Sequence, residues 1–365
     1  MVNKDEVFRV TTENPIIVGD EMWFSHFKYP TLYRVKKNEK FVDVAFEFDD
    51  EKTDEIRLFG QLIYHNGNLY LPPFSASKMY CISLNDHKVK TYDFEQRYYE
   101  QRGGFEKFNL LSSHLFGSKI FMISGIYPAI IEFDCDTEKV RYIDNWIDEI
   151  YDYVNIDDGA MFRKTFMHDG KLFLPLCSGN AVLIYDINED NYSYKVCGEN
   201  GNSYSSLSFD GKSYWLAPRN SGPVIKCSEG LDKWEKIEDE SLYDENACYA
   251  DIVYHDGYVY LLPRVYNYVL RINVSDDTVE KTVDKYQDVS YFIYLNHIYF
   301  YDNYKGGYFS FDEEKVRILS FSPQKREALY EKYNLFNDLD IDEKIDIMHE
   351  EELARLDSFI RFVSK

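Results

Sequence analysis

Four basic residues suggest chemistry by their type and spacing: Arg163, Lys164, Arg219 and Arg264. The last two arginines belong to a repeated dipeptide, Pro218-Arg219 and Pro263-Arg264, at matching points of successive repeats. Guanidinium groups hold carboxylate or phosphate through forked pairs of hydrogen bonds. The chemistry implied is recognition of an anionic small molecule, glycan or peptide. The background sharpens this, because 41 Lys and Arg face 64 Asp and Glu, a net charge of −23. The competing reading is that these arginines simply pair with abundant acids on the same surface.

A second set comes from counting four residues back from each repeated turn. The positions are Asn14, Gln61, Ser112, Lys164, Ser205, Asp251 and Tyr291, all polar within otherwise apolar strands. Such a ring lines a hydrated channel or floors a ligand site. Lys164 and Asp251 are the candidate acid–base pair there, with Tyr204 and His26 on the rim. The expected ligand contacts are Arg163, Lys164, Arg219, Arg264, Gln61, Ser205 and Asp251.

The elements that must position these residues announce themselves as a hairpin. It reads HNGNLYLPP from His65, HDGKLFLPL from His168 and HDGYVYLLPR from His255, with a looser FDGKSYWLAPR from Phe209. Asn-Gly and Asp-Gly suit two-residue hairpins, because both turn residues need positive φ. Degenerate copies begin at Val18, Phe116 and Leu295, giving seven units spaced 39 to 52 residues apart. A third strand follows each hairpin, then a polar turn (NDHK, DTEK, NEDN, SDDT, DEEK) and a fourth strand. Periods of about 40–50 residues with four strands each mark a β-repeat ring. Residues 7–11 (VFRVT) alternate like a further strand, one that adds to the last unit and helps close the ring. Aromatics make up 17% of the chain, which fits strands that pack on both faces.

On these units the chain resembles the seven-bladed β-propeller superfamily over about residues 14–321. The likeness is architectural. No Trp-Asp dipeptide closes a strand as in WD repeats, and no Asp-box of the form SxDxGxTW occurs. Of the Gly-Gly pairs typical of kelch repeats, only Gly306-Gly307 comes near. The resemblance implies an all-β fold of four-stranded antiparallel blades over residues 1–321 and a preferred face. It carries no activity. Residues 322–365 read as a C-terminal helical pair packed on the ring, with Ser322 as N-cap and Pro323 at the first helical position.

In such a ring the hairpin turns lie on one face. The loops between second and third strands lie on the other, with the connections between blades. The short-turn histidines His65, His168 and His255 fall in non-adjacent blades and are expected to be structural, with no metal or cofactor. The opposite, long-loop face is expected to bind. Two long connections, 95–108 and 144–159, supply Arg97, Tyr98, Tyr99, Arg102, Trp146, Tyr151 and Tyr153 as a lid or wall.

Other features bound the function. A phosphate backbone is repelled by this net charge, so nucleic acid is not an expected partner. No apolar run spans a membrane, and MVNKDEVFRV lacks a signal-peptide core. Six scattered cysteines without a CxxC pair fit reduced thiols in the cytoplasm. There is no GxGxxG, GxxxxGK[ST], HExxH or GxSxG. The expectation is a cytoplasmic, monomeric binding module for an anionic small molecule, glycan or peptide. The alternatives are a lyase, hydrolase or epimerase acting on an anionic sugar or peptide in the central pocket, and a protein-interaction scaffold.

Overall fold

The structure, a computed structural model, describes residues 9–12, 15–27, 29–36, 39–51, 57–95, 108–154, 160–244, 247–322, 324–326 and 328. Within them the chain folds into seven four-stranded antiparallel sheets, each made of consecutive strands. The first three are β1–β4 (Ile16–Val18, Glu21–Ser25, Thr31–Lys36, Asp43–Glu47), β5–β8 (Ile63–His65, Asn68–Leu71, Met79–Ser83, Val89–Tyr92) and β9–β12 (Leu110–Phe116, Lys119–Ser124, Ile130–Asp134, Val140–Ile143). The next two are β13–β16 (Phe166–His168, Lys171–Pro175, Ala181–Asp186, Asn191–Val196) and β17–β20 (Tyr204–Phe209, Ser213–Pro218, Val224–Ser228, Trp234–Ile237). The last two are β21–β24 (Tyr249–His255, Tyr258–Pro263, Asn267–Asn273, Val279–Tyr286) and β25–β28 (Val289–Tyr294, His297–Asp302, Gly307–Phe309, Arg317–Ile318). The sheets stand in a ring as the blades of a seven-bladed β-propeller.

The turn chemistry explains the hairpins. Asn66, Asp169 and Asp256 have φ of 48°, 47° and 47°, and the glycines after them are also positive, as a type I′ turn requires. Blade five departs from this. There Phe209 pairs with Tyr214, leaving a four-residue loop. The Asp210 carboxylate organises it, accepting from Lys212 N and Ser213 N at 2.7 Å and from Trp215 Nε1 at 2.8 Å.

Each blade buries both faces against its neighbours. One apolar cluster fills each of the seven junctions, for example Ile63, Tyr70 and Cys81 of blade two against Ile120 and Phe133 of blade three. The first and last blades meet through Met22, Phe24 and Tyr33 against Phe292, Tyr301 and Phe321.

The chain's start seals this last junction. It does so without adding a strand to the last blade. Residues 9–12 instead thread between blades seven and one, and Thr12 pairs with His26 as a single bridge. Val10 and Thr12 are fully buried. The Asn303 side chain acts as a substitute strand, accepting from Thr12 N at 2.8 Å and donating to Thr12 O at 2.9 Å. Tyr301 donates to Val10 O at 2.8 Å. At the other end Phe41 pairs in parallel with Ser320, through Val42 N to Ser320 O and Ser320 N to Lys40 O, both 3.0 Å.

The predicted N-cap holds. Ser322 Oγ accepts from Lys325 N at 3.3 Å, and Ser322 O accepts from Arg326 N at 2.9 Å. The helix expected over about 342–363 lies outside the described residues.

Asn303→Ala would strand the buried Thr12 N–H and C=O. An orphaned buried polar group costs about 1–3 kcal/mol, so we expect a loss of about 2–4 kcal/mol in urea unfolding. An unchanged midpoint would show that apolar contacts alone close the ring.

Candidate functional site

Two cavities matter, one on the axis and one on the long-loop face. The axial cavity, about 580 Å³, is floored by Gln61, Ser112, His114, Lys164, Asp251 and Tyr291. Its walls are the hairpin-side halves of the innermost strands, including Phe166, Phe209, Tyr254 and Ile293. The polar ring expected from the count therefore exists, in part. Asn14 lies outside the described residues.

The wider loop of blade five shifts its register by one. Ser206, not Ser205, donates its hydroxyl to Asp251. Ser205 Oγ is buried without a side-chain partner, while its carbonyl accepts from Lys164 N at 3.0 Å. In blade seven the hairpin closes at Tyr294 and His297, so the position matching Lys164 and Asp251 is Ser290. Ser290 lines a small second cavity on the other side of Lys164 and Asp251.

The floor is electrically uneven. Lys164 and Asp251 are each 9% exposed, on blades four and six. The Asp251 carboxylate also accepts from Ile252 N at 2.8 Å. His114 reaches Thr165 Oγ1 through Nε2 at 2.7 Å, and Thr165 Oγ1 donates to Ser112 Oγ at 2.9 Å. With the Thr165 hydroxyl donating to Ser112, Nε2 of His114 is the donor to Thr165 Oγ1. Burial, then the Lys164 charge, lowers the His114 pKa to about 4. Burial, then the Asp251 charge, raises that of Tyr291.

The second cavity, about 750 Å³, lies off-axis over blades four and five. It is lined by Asn180, Asn200, Asn202, Asn220, Arg219 and Asp152. It is built from the loop after β14, the loop after β18 and the connections on either side of blade four, all on the expected face. The connection from blade three contains α1 (Ile147–Ile150). The sequence suggested that this stretch forms a lid. Trp146 is instead 1% exposed, wedged beside Phe162 with Nε1 donating to Ile143 O at 2.9 Å. Tyr153 stacks on Tyr194 with centroids 4.5 Å apart. A Cβ on Gly179 would collide with the Tyr153 carbonyl oxygen, so only glycine lets the connection reach the cavity wall. Arg97, Tyr98, Tyr99 and Arg102 lie outside the described residues.

The arginines are placed by a shared backbone device. Arg219 N donates to Ser203 O at 2.9 Å, and Arg264 N donates to Cys248 O at 2.8 Å. Each carbonyl belongs to the residue just before its blade's innermost strand. One guanidinium is therefore set down per blade on the same face. Arg219 Nη1 also donates to Cys177 O at 2.8 Å. Burial pushes the Cys177 thiol up to about 11, against the opposing pull of the Arg219 and Arg163 charges. Lys164 is in the other cavity, and Arg264 is exposed on blade six. The predicted basic cluster is thus divided between axis and face.

Pairing separates these arginines from the rest. Arg34, Arg57, Arg141, Arg271 and Arg317 form ion pairs with Glu21, Asp288, Asp190, Glu280 and Glu313. Among the described residues, Arg9, Arg163, Arg219 and Arg264 have no such carboxylate partner. All four are on the long-loop face.

Other expected participants sit elsewhere. Tyr204 is 1% exposed with its hydroxyl donated to Cys197 O. His26 is 1% exposed, stacked on Tyr29 at 4.7 Å and bonded through Nε2 to Arg9 O at 2.9 Å. Neither residue faces the axial cavity, so the four catalytic candidates do not converge. His65 bonds Asn66, His168 packs on Phe209 and His255 bonds Asn296. Among the described residues no three His, Cys, Asp or Glu are grouped to hold a metal.

Fold and cavities together define a propeller with a polar axial cavity and an arginine-bearing face. No protein-family model matches the chain, and no curated protein matches it. Solved structures similar to it include virginiamycin B lyase from Staphylococcus aureus, with TM-score 0.61, 10% identity and coverage of 82% of this chain and 92% of that one. A streptogramin B lyase gives 0.60, 12%, 83% and 93%. YCF48 bound to D1 peptide gives 0.57, 11%, 80% and 89%. At such identities the likeness is one of fold.

The His114 pKa makes a pH signature. The folded value lies below the unfolded one of about 6.5, so its contribution is complete above that pH and disappears as pH falls toward about 4. The gap corresponds to about 3 kcal/mol. Urea unfolding at pH 7 and pH 4.5 should show a smaller acid loss for His114→Gln than for wild type. Equal losses would show that His114 titrates normally.

Proposed function

We propose that this propeller binds an anionic sugar or sugar-like small molecule in the long-loop cavity over blades four and five. The observation that carries this is the set of arginines without carboxylate partners in a chain of net charge −23. Carboxylates and guanidiniums on so acidic a surface normally find one another, as Arg34, Arg57, Arg141, Arg271 and Arg317 have done. A guanidinium kept from the surrounding acids is available to an incoming anion.

The rest of the lining names the ligand's other groups. Carboxamides present a donor and an acceptor together, which matches the vicinal hydroxyls of a sugar. Asn180 and Asn202 are held by bonds with the backbone of Gly198 and Glu199, at 3.3 and 2.7 Å. Asn200 and Asn220 are exposed. Asp152, the carboxylate in the lining, would accept from ligand hydroxyls. Binding is favoured over catalysis because Lys164 and Asp251 lie in the other cavity, away from Arg219.

A thermal-shift screen against sugar acids and phosphosugars tests this. A true ligand at about 100 times its Kd stabilises the fold by about 2.7 kcal/mol, a shift of several degrees. Arg219→Gln should weaken binding roughly tenfold to a hundredfold, since hydrogen bonds to charged groups contribute about 1.5–3 kcal/mol. If no anion shifts the wild type, or Arg219→Gln responds equally, the proposal is wrong.

A further inference from the structure

We infer that the same face carries a second subsite, Tyr266 and Tyr304 flanked by Arg264 and Arg9, and that the ligand is therefore a polyanionic oligosaccharide rather than a single sugar. This rests on the anionic-sugar reading and extends it. Tyr266 is 52% exposed and Tyr304 50% exposed. They come from the second-to-third-strand loops of blades six and seven, and their ring centroids are 6.2 Å apart with planes at 59°. The Arg9 guanidinium lies over the Tyr304 ring at 4.9 Å. Arg264 is two residues from Tyr266 and exposed.

These rings are not loosely placed. The Asp302 carboxylate accepts from Tyr304 N at 2.8 Å and Lys305 N at 3.1 Å, fixing the blade-seven loop. Arg264 is held at both backbone groups, its N–H on Cys248 O and its C=O accepting from Asp288 N at 3.0 Å. Most tyrosines of this chain pack between blades. Two neighbouring rings left in water on rigid loops, beside two arginines without carboxylate partners among the described residues, have the composition of a binding hot spot. A tyrosine presents a flat apolar face and a hydroxyl with little side-chain entropy to lose. The face suits the C–H side of a pyranose ring.

The spacing of charge favours a polymer. Arg219 lines the blade-four and blade-five cavity, Arg163 lies just before the innermost strand of blade four, Arg264 is on blade six and Arg9 beside blade seven. A chain of sugar units, each bearing a carboxylate, would meet a guanidinium at each successive blade. Linked contacts then raise affinity through effective concentration, without any single strong contact.

Calorimetric titration with a uronic acid monomer and with its oligomers tests this. In the wild type, affinity should rise at least tenfold from monomer to oligomer. The Tyr266→Ala/Tyr304→Ala double variant should bind the monomer as wild type does and lose that gain, whereas Arg219→Gln should weaken monomer binding roughly tenfold to a hundredfold. If the monomer binds and the oligomer binds no tighter, or the double variant keeps the gain, the subsite is refuted and the single-sugar reading stands. If no uronate of any length binds, the sugar reading itself fails. Tighter binding of poly-glutamate, with the same tyrosine dependence, would overturn the assignment to sugar in favour of acidic peptide.

Discussion

A four-stranded sheet with two apolar faces is stable only when both are covered, so the ring must close. Every junction but one joins consecutive sheets and is closed by chain continuity. The junction between blades seven and one has no such help. It is closed by residues far apart in sequence, as in the Asn303–Thr12 pair at a separation of 291 and the Lys325–Glu47 pair at 278. The outermost strand, Arg317–Ile318, is two residues long, and the single parallel bridge of Phe41 with Ser320 continues its path. The segment 9–12 compensates by filling the seam with Val10 and by offering its backbone to Asn303 and Tyr301. The placement of Arg9 over Tyr304 is a by-product of that closure. Structure and surface chemistry meet there, because the segment that seals the ring also delivers a guanidinium to the long-loop face.

Charge behaves differently in the two cavities. On the axis, Lys164 and Asp251 are nearly buried, where an ion needs local compensation. The carboxylate gets it from the Ser206 hydroxyl and the Ile252 amide. Burial, and then the Lys164 charge, hold the His114 pKa below its ordinary value. On the face, arginines are partly or wholly exposed, where ion pairs contribute little. Leaving them without carboxylate partners is therefore inexpensive in stability.

Much of this was legible from residues. The Asn-Gly and Asp-Gly turns fixed blade number and strand order because positive φ at two successive positions admits few residue types. The ring at Gln61, Ser112, Lys164 and Asp251 followed by counting, since side chains alternate strictly along a strand. The count slipped at blade five, where Asp210 looks like a tight-turn residue but uses its carboxylate to cap a wider loop. It slipped at blade seven, where Leu295 is an unexpected turn residue with φ of 48°. His114 escaped notice because it lies two residues beyond the counted position. Tyr204 and His26 looked catalytic because sequence position cannot distinguish a strand's cavity edge from the face packed against a neighbour. The carboxamides around Arg219 were missed for a related reason. They come from three separate loops, joined by bonds that sequence does not display, Cys197 N to Asn180 O at 2.7 Å and Arg219 N to Ser203 O at 2.9 Å.

The division between the two faces has a physical origin. A type I′ turn leaves two residues with prescribed φ, and its neighbours are already committed to the ladder. Residue choice there is restricted by the register it must keep. The loops after each second strand carry no such requirement. They leave the sheet at Pro175, Pro218 and Pro263 in blades four, five and six, and each proline removes a backbone donor as the ladder ends. The residues beyond these prolines, Leu176-Cys177, Arg219-Asn220 and Arg264-Val265-Tyr266, are free to differ from blade to blade while their starting point is fixed. The same proline that ends one strand sets the next residue at a constant height above the ring. That is why two arginines one blade apart start from equivalent positions, and why side chains can vary most on the face where backbone geometry is least prescribed.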